Sequence, residues 1–308
     1  MQCFYPLSAW QKHSGDIHFY PKGSEGKRVK DPEYRRELAL PCGQCVGCRV
    51  SRASDWAARC MHESSLHEEN SFITLTYDDD NLPYQGQLVY PHFQDFMKRL
   101  RYHTGKPLRF YMCGEYGENH DRPHYHAILF GHAFYADRLL LKQSEAGSLY
   151  SSHLLDSIWK RGMCSVGDVT FDSAAYVARY VVKKVTGKNA EEHYTRVDGI
   201  TGEVYQKVPE FSRMSLQNGG IGAGWLEKYS SDVVNSGAVM TYNVARPVPR
   251  YYTKLMEDRM GFARDLLDIT RCERAKMRSI EPNDNSYERM RVKEEVAKAK
   301  LKLKKREL

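Results

Sequence analysis

Apolar positions along the chain switch between a helical and an alternating period, and the switches mark the expected elements. The first 40 residues hold neither period, because Gly15, Pro21, Gly23, Gly26 and Pro32 interrupt them, and they read as loop. From near Ser51, the residues Ala53, Trp56, Ala57, Cys60 and Met61 fall on one helical face. Phe72-Ile73-Thr74-Leu75-Thr76-Tyr77 alternates and is rich in β-branched residues, which predicts a strand closed by Asp78, Asp79, Asp80 and Pro83. Phe93, Phe96, Met97 and Leu100 recur at helical spacing until Gly105 and Pro107 stop them. Two strands, 109–115 and 124–130, flank a polar hairpin-like loop. A helix over 152–160, a strand over 163–171 and a helix over 173–185 follow, with Gly187 as the last stop. Gly219, Gly220, Gly222 and Gly224 before Trp225 predict a tightly turning loop. A phosphate cradle is the weaker reading there, since no Lys-Ser or Lys-Thr follows. Residues 286–308 read as a charge-rich helical tail.

Helices and strands are interspersed without the regular alternation of a doubly wound fold, so the pattern predicts an α+β protein with an antiparallel sheet flanked by helices. Four segments are expected: an arm over 1–49, a compact domain over 50–190, a glycine-containing extension over 191–275 packing on it, and a charged tail over 276–308. The 308 residues are 41% hydrophobic and 12% aromatic, too rich for a disordered chain. No apolar run approaches the ~20 residues of a membrane-spanning helix. The start carries no basic stretch followed by an apolar one, so a soluble intracellular protein is expected. The net charge of +7 permits a nucleic-acid partner without pointing to one. Residues 286–308 hold nine Lys or Arg against four Glu, which leaves the rest of the chain nearly neutral.

The sharper signals are local. His124 and His126 sit two apart on a predicted strand and therefore share a face, with Tyr125, Ala127 and Leu129 on the other. If the hairpin loop is symmetric about residues 119 and 120, Glu115 lies opposite His124. Two imidazoles and a carboxylate make a three-ligand site for a divalent cation with positions left open for substrate oxygens. Glu118 and Asp121 are the alternatives in another register, and a chance His-x-His is the competing reading of the spacing alone. In the helix over 173–185, Ala174, Ala178, Val181 and Val185 form an apolar stripe, and Tyr176, Tyr180 and Lys183 form a second one. Tyrosines one turn apart can reach one phosphate, and a metal with a nearby cation favours their attack on it. A packed aromatic pair is the bland alternative in a chain with 21 tyrosines. Cys42, Cys45 and Cys48 supply three thiolates where tetrahedral zinc takes four. A continuous helix from about residue 49 would carry Cys60 ~18 Å from Cys48, and His62 equally far, so Cys3 on the arm is the favoured fourth ligand. An iron–sulfur cluster and unligated thiols stay open as alternatives.

The ordered set Phe-Ile-Thr-Leu-Thr-Tyr (72–77), Arg-Pro-His-Tyr-His-Ala-Ile-Leu (122–129) and Tyr-Val-Ala-Arg-Tyr-Val-Val-Lys (176–183) resembles the three motifs of rolling-circle initiators of the HUH endonuclease superfamily. The N-terminal Met-Gln-Cys-Phe-Tyr-Pro, the cysteine segment and Ile221-Gly222-Ala223-Gly224-Trp225 narrow the resemblance to replication-associated proteins of gokushovirus-like microviruses, over about residues 1–255. The resemblance implies a sheet of about five strands with the histidines on a central one. It implies Mg²⁺ or Mn²⁺ at His124 and His126, Tyr176 and Tyr180 as alternating nucleophiles, and Lys183 beside them. Glu115 as third ligand rests on the register. It further implies single-stranded origin DNA as substrate, nicked through a 5′-phosphotyrosine and rejoined without ATP. A host helicase and DNA polymerase would be partners in the bacterial cytoplasm. Competing readings are a non-catalytic, zinc-stabilised nucleic-acid-binding protein, or the same chemistry in a plasmid initiator, relaxase or transposase.

Overall fold

The computed structural model describes residues 3–20, 31–117, 120–144, 147–185, 187, 190–199, 201–260 and 286–304. The chain divides into two compact units, Met1–Arg52 with Asn283–Leu308, and Ala53–Pro282.

In the first unit, β1 (Leu7–Lys12) pairs antiparallel with β2 (Ile17–Phe19) and with β3 (Tyr34–Leu40), giving a three-stranded sheet. The expectation of loop over these residues is thus corrected. Of β1 only Ala9 is fully buried, so no alternation announces the strand. Its hydrogen bonds come from β3, which is remote in sequence. The helix α1 (Val46–Ser64) starts ahead of the Ser51 expected from the apolar pattern, and its first turns contain Cys48. The tail is helical over Tyr287–Lys304, and Met290 and Ala297 are buried in one cluster with Phe4, Cys45 and Cys48. Its helical periodicity therefore serves packing, although its charge suggested a solvated face.

The second unit is built on a sheet of seven strands, not about five. In chain order these are β4 (Asn70–Thr76), β5 (Arg109–Tyr116), β6 (Pro123–Phe130), β7 (Arg138–Ser144), β8 (Gly147–Ser152), β9 (Cys164–Gly167) and, after two short strands, a strand Phe211–Met214. The short pair is β10 (Thr195–Val197) and β11 (Val204–Gln206), which makes the seventh strand β12. The spatial order is β12-β5-β6-β4-β9-β8-β7, every neighbouring pair antiparallel. The additional strands lie at the edges. β12 comes from the stretch expected to pack on the domain as an extension, and β7 with β8 forms a hairpin over residues that carry no alternating pattern.

Each face of the sheet is covered by helices. Toward α2 (Tyr90–Thr104) and α3 (His153–Trp159) point Ile73, Leu75, Met112, Tyr125, Ala127 and Leu129, packed on Phe93, Phe96, Leu100 and Trp159. Toward α1 and α4 (Phe171–Lys183) point Tyr111, Cys113, Ile128 and Phe130, packed on Ala57, Cys60, Ala174, Val177 and Ala178. This burial on both faces explains why β5 and β6 read as nearly continuous apolar runs. α4 ends at Lys183, so Val185 lies outside the stripe assigned to it, its N–H donating to Tyr194 Oη at 3.1 Å. The Val181 side chain lies outside the described residues.

Two glycines fix backbone crossings. Gly162 (φ +143°) lies against the backbone of Thr76 to Asp78, where a Cβ would collide. The neighbouring Trp159 Nε1–H donates to Thr76 O at 2.6 Å, and together they anchor the end of β4 beside the histidines. Gly222 (φ +81°) meets Tyr252 Oη, and its N–H donates at 2.8 Å to the buried Glu63 carboxylate, so this amide of the glycine loop serves an internal partner instead of a phosphate. Glu63 also pairs with Arg109 and His67, each at 3.2 Å.

Candidate metal and nucleophile site

The β5–β6 ladder pairs Glu115 with His124 and Cys113 with His126, the register that a hairpin symmetric about residues 119 and 120 requires. Period-two geometry then turns Glu115, His124 and His126 to one face, the α4 side. Glu115 Oε1 lies 2.7 Å from His124 Nε2 and 3.1 Å from His126 Nε2. One donor atom from each of the three falls within 4.8 Å of the others, the spacing of a single cation's ligands. Glu115 and His126 are buried, while His124 keeps an exposed edge.

The tautomers make the trio demand positive charge. His124 Nδ1 is 3.1 Å from Arg122 O, a pure acceptor, so Nδ1 carries the hydrogen. In the neutral ring, Nε2 then aims a lone pair at the Glu115 carboxylate, a repulsive contact unless a proton or a metal ion lies between. On His126, Nδ1 lies 2.9 Å from Thr74 Oγ1, and the ring stacks on Phe72 at 5.6 Å, so both its rotation and its tilt are fixed. Burial alone would raise the Glu115 carboxyl, but the hydrogen bonds and charge of His124 and His126 bring it down to about 2. Two imidazoles and a carboxylate suit a divalent ion of mixed N/O preference, Mn²⁺ more readily than Mg²⁺. Of the alternative ligands, Asp121 is paired with Lys207, and Glu118 lies outside the described residues.

The helix α4 begins at a capping box in which Thr170 and Ser173 exchange side-chain-to-backbone hydrogen bonds at 3.0 and 2.8 Å. This start sets the phase of the helix, and Tyr176 comes out beside the histidines. Its ring meets His126 edge-on at 5.1 Å and Phe72 at 6.2 Å, with the Arg179 guanidinium 5.7 Å from its centre. Tyr180 and Lys183 belong to the same helix at i+4 and i+7, and their side chains lie outside the described residues. The sequence pattern missed the supporting pair Phe72 and Thr74. Both were assigned to a strand, but only the register of β4 on β6, Phe72 to Ile128 and Thr74 to His126, sets them against the histidine.

In the first unit Cys3, Cys42, Cys45 and Cys48 form a second donor group. Cys45 Sγ is 3.9 Å from Cys3 Sγ and Cys42 Sγ is 4.0 Å from Cys48 Sγ. A tetrahedral ion with bonds of ~2.3 Å to sulfur needs sulfurs about 3.8 Å apart, so the four fit one ion. They stand too close for each to bind a different iron of a four-iron cluster. Backbone N–H groups of Phe4, Cys42, Cys45 and Cys48 donate to the sulfurs at 3.3–3.5 Å. Burial alone would raise the Cys45 thiol, yet the Phe4 and Cys48 amides bring it down to about 7. Burial and the neighbouring Cys3 and Cys45 push Cys48 up to about 12. Cys60 is fully buried in the core between the sheet and its helices, and His62 is occupied by Tyr252 Oη at 2.9 Å and Met240 O at 3.0 Å.

Residues 70–185, from β4 through the whole of α4, match the family described as replication-associated protein ORF2. The chain is 33% identical over 263 residues to the replication-associated protein VP4 of Bdellovibrio phage phiMH2K, covering 82% of this chain and 76% of that protein. It is 28% identical over 275 residues to the replication-associated protein ORF2 of Spiroplasma virus 4, with 83% and 81% covered. To the replication-associated protein ORF4 of Chlamydia phage 1 it is 39% identical over 153 residues, 47% of this chain and 38% of that one. No solved structure matches the chain at a significant level. The chain belongs to the family of phage replication-associated proteins, the microvirus-like replication initiators that its motifs resemble. Among the described residues no helix is long and apolar enough to cross a membrane.

Proposed function

We propose that the protein is a rolling-circle initiator of the HUH type that nicks and rejoins single-stranded origin DNA. The observation that carries this reading is the meeting of Tyr176 with the Glu115, His124 and His126 donor group at one end of the sheet, within a chain of the replication-associated family. Glu115, His124 and His126 would hold Mg²⁺ or Mn²⁺, which when bound supplies Lewis-acid polarisation of the scissile phosphate. Phe72 and Thr74 hold the His126 ring in place, and the carbonyl of Arg122 holds that of His124.

Tyr176 or Tyr180 then attacks phosphorus through its phenolic oxygen and gives up its proton. The bond from phosphorus to the 3′-oxygen breaks, and that oxygen takes a proton to become a free 3′-hydroxyl. The 5′-phosphate stays on the tyrosine. Reversal by the 3′-hydroxyl of the displaced strand closes the circle, and because the phosphotyrosine conserves the ester bond, no nucleotide is consumed. Two tyrosines allow the second to cleave the regenerated origin while the first is still occupied. Lys183 would stabilise the attacking phenolate, and a host helicase and polymerase would open and copy the duplex. The four cysteines would hold a structural Zn²⁺ in the arm.

The deciding experiment incubates the protein and a labelled single-stranded origin oligonucleotide with Mn²⁺ and looks for a covalent adduct on a denaturing gel. Oligonucleotide binding without any adduct would leave the non-catalytic reading in place.

A further inference from the structure

Beyond the nuclease site, the C-terminal helix and the cysteine cluster meet in a way neither motif suggested. We propose that the four thiolates and the helix Tyr287–Lys304 form one metal-dependent clasp, in which the ion joining Cys3 to Cys42, Cys45 and Cys48 also builds the surface on which the helix docks. The inference rests on the reading of the cluster as a metal site.

The helix turns Met290, Glu294 and Ala297 inward, at i, i+4 and i+7, and leaves Arg289, Arg291, Lys298 and Lys300 exposed. Met290 and Ala297 share a core with Phe4, Cys45 and Cys48. Glu294 is a buried carboxylate whose Oε2 accepts from Tyr5 Oη at 2.6 Å, with Lys298 at 3.4 Å. The docking surface is therefore made from two strips of chain. One is Phe4 and Tyr5, which directly follow the ligand Cys3, and the other is the start of α1 with the ligands Cys45 and Cys48.

These strips meet beyond the last rung of the β1–β3 ladder, Leu7 opposite Leu40. Past that rung the Phe4 amide reaches the Cys45 sulfur at 3.4 Å and the Cys42 amide reaches the Cys3 sulfur at 3.3 Å. Such bonds are strong to a metal-bound thiolate and weak to a neutral thiol. With the ion gone, the sulfurs either repel as thiolates or lose their acceptor strength as thiols, and Cys3 is free to part from the loop. Phe4 and Tyr5 go with it. Met290 then loses its apolar partner and Glu294 its hydroxyl donor, and an undocked single helix is marginal in water. Metal occupancy thus decides whether the basic C-terminal segment is a fixed helix or a free tail.

The test uses the full chain and measures metal content by mass spectrometry together with hydrogen exchange of peptides from 287–304. One zinc per chain is expected. Stripping it with a chelator under reducing conditions should speed exchange of the helix roughly tenfold or more, and adding Zn²⁺ should restore protection. Peptides from β4, β5 and β6 should not change, which guards against general unfolding. Cys3→Ser should lose both metal and helix protection, whereas Met290→Asp should lose helix protection and keep the zinc. A chain that binds no metal through its cysteines overturns the site reading itself. A chain that binds zinc but keeps the helix protected after stripping, or in Cys3→Ser, overturns the clasp and leaves the site reading standing.

Discussion

Glu115 and His124 occupy directly paired positions on β5 and β6, and the carboxylate oxygen lies 2.7 Å from the imidazole Nε2. The pairing places a negative charge where the His124 tautomer would aim a lone pair. The pair calls for a cation, and His126 completes its ligand set. Glu115→Gln keeps the shape but removes the charge. Mn²⁺ affinity, read by calorimetry, should fall at least about tenfold, and adduct formation should fall with it. His124→Ala and His126→Ala should abolish cleavage, and cleavage persisting in either would remove that histidine from the site.

Tyr176→Phe keeps the ring against His126 and Phe72 and removes only the hydroxyl. Its stability should stay within about 0.5 kcal/mol of wild type in urea denaturation. If the two tyrosines alternate, Tyr176→Phe and Tyr180→Phe should each retain part of the covalent adduct, and the double variant should retain none. Complete loss in one single variant would show that isolated oligonucleotides are cut by one tyrosine.

Thr74 is a positioning residue, acting through His126 Nδ1. Thr74→Val is nearly isosteric and leaves β4 paired, yet releases the imidazole from its partner. Metal affinity should drop about tenfold, the cost typical of losing such an outer partner, and Thr74→Ser should recover most of it. An unchanged Mn²⁺ titration in Thr74→Val would sink this assignment.

His62 is buried against the Trp225 ring at 3.6 Å, donates from Nε2 to Met240 O and accepts from Tyr252 Oη. Burial pulls its pKa down to about 4, against the ordinary 6.5. The unfolded chain therefore binds a proton that the folded one refuses. The stability gained from the neutral ring is complete above pH ~6.5 and is lost as the pH falls toward about 4, a term of up to about 3 kcal/mol. Urea midpoints between pH 7 and pH 4 should fall more steeply for wild type than for His62→Gln. Parallel slopes would show that His62 does not carry the effect.

Much of the site could be read along the chain because its determinants are local. The alternation at 72–77, the His-x-His spacing, the symmetry of the 109–130 hairpin and the turn between Tyr176 and Tyr180 each depend on a few consecutive residues. What escaped depends on distant partners. Leu139, Leu140 and Leu141 of the edge strand β7 are all exposed, so no alternation marks them, and four-residue β12 is too short to show a period. The buried Glu294 disguised the packed face of the C-terminal helix, since nothing near it in sequence announces Tyr5 as its donor.

The sequence by itself determined which side chains share a face, because periods of 2.0 and 3.6 residues follow from backbone geometry alone. From that came the Glu115, His124 and His126 grouping and the family resemblance that the relatives then bore out. The tertiary structure alone decided how many strands join the sheet, which helix brings a tyrosine to the histidines, and that Cys3 lies beside Cys42, Cys45 and Cys48. Those outcomes rest on hydrogen bonds and contacts between segments tens of residues apart, and a local pattern carries no record of its partner.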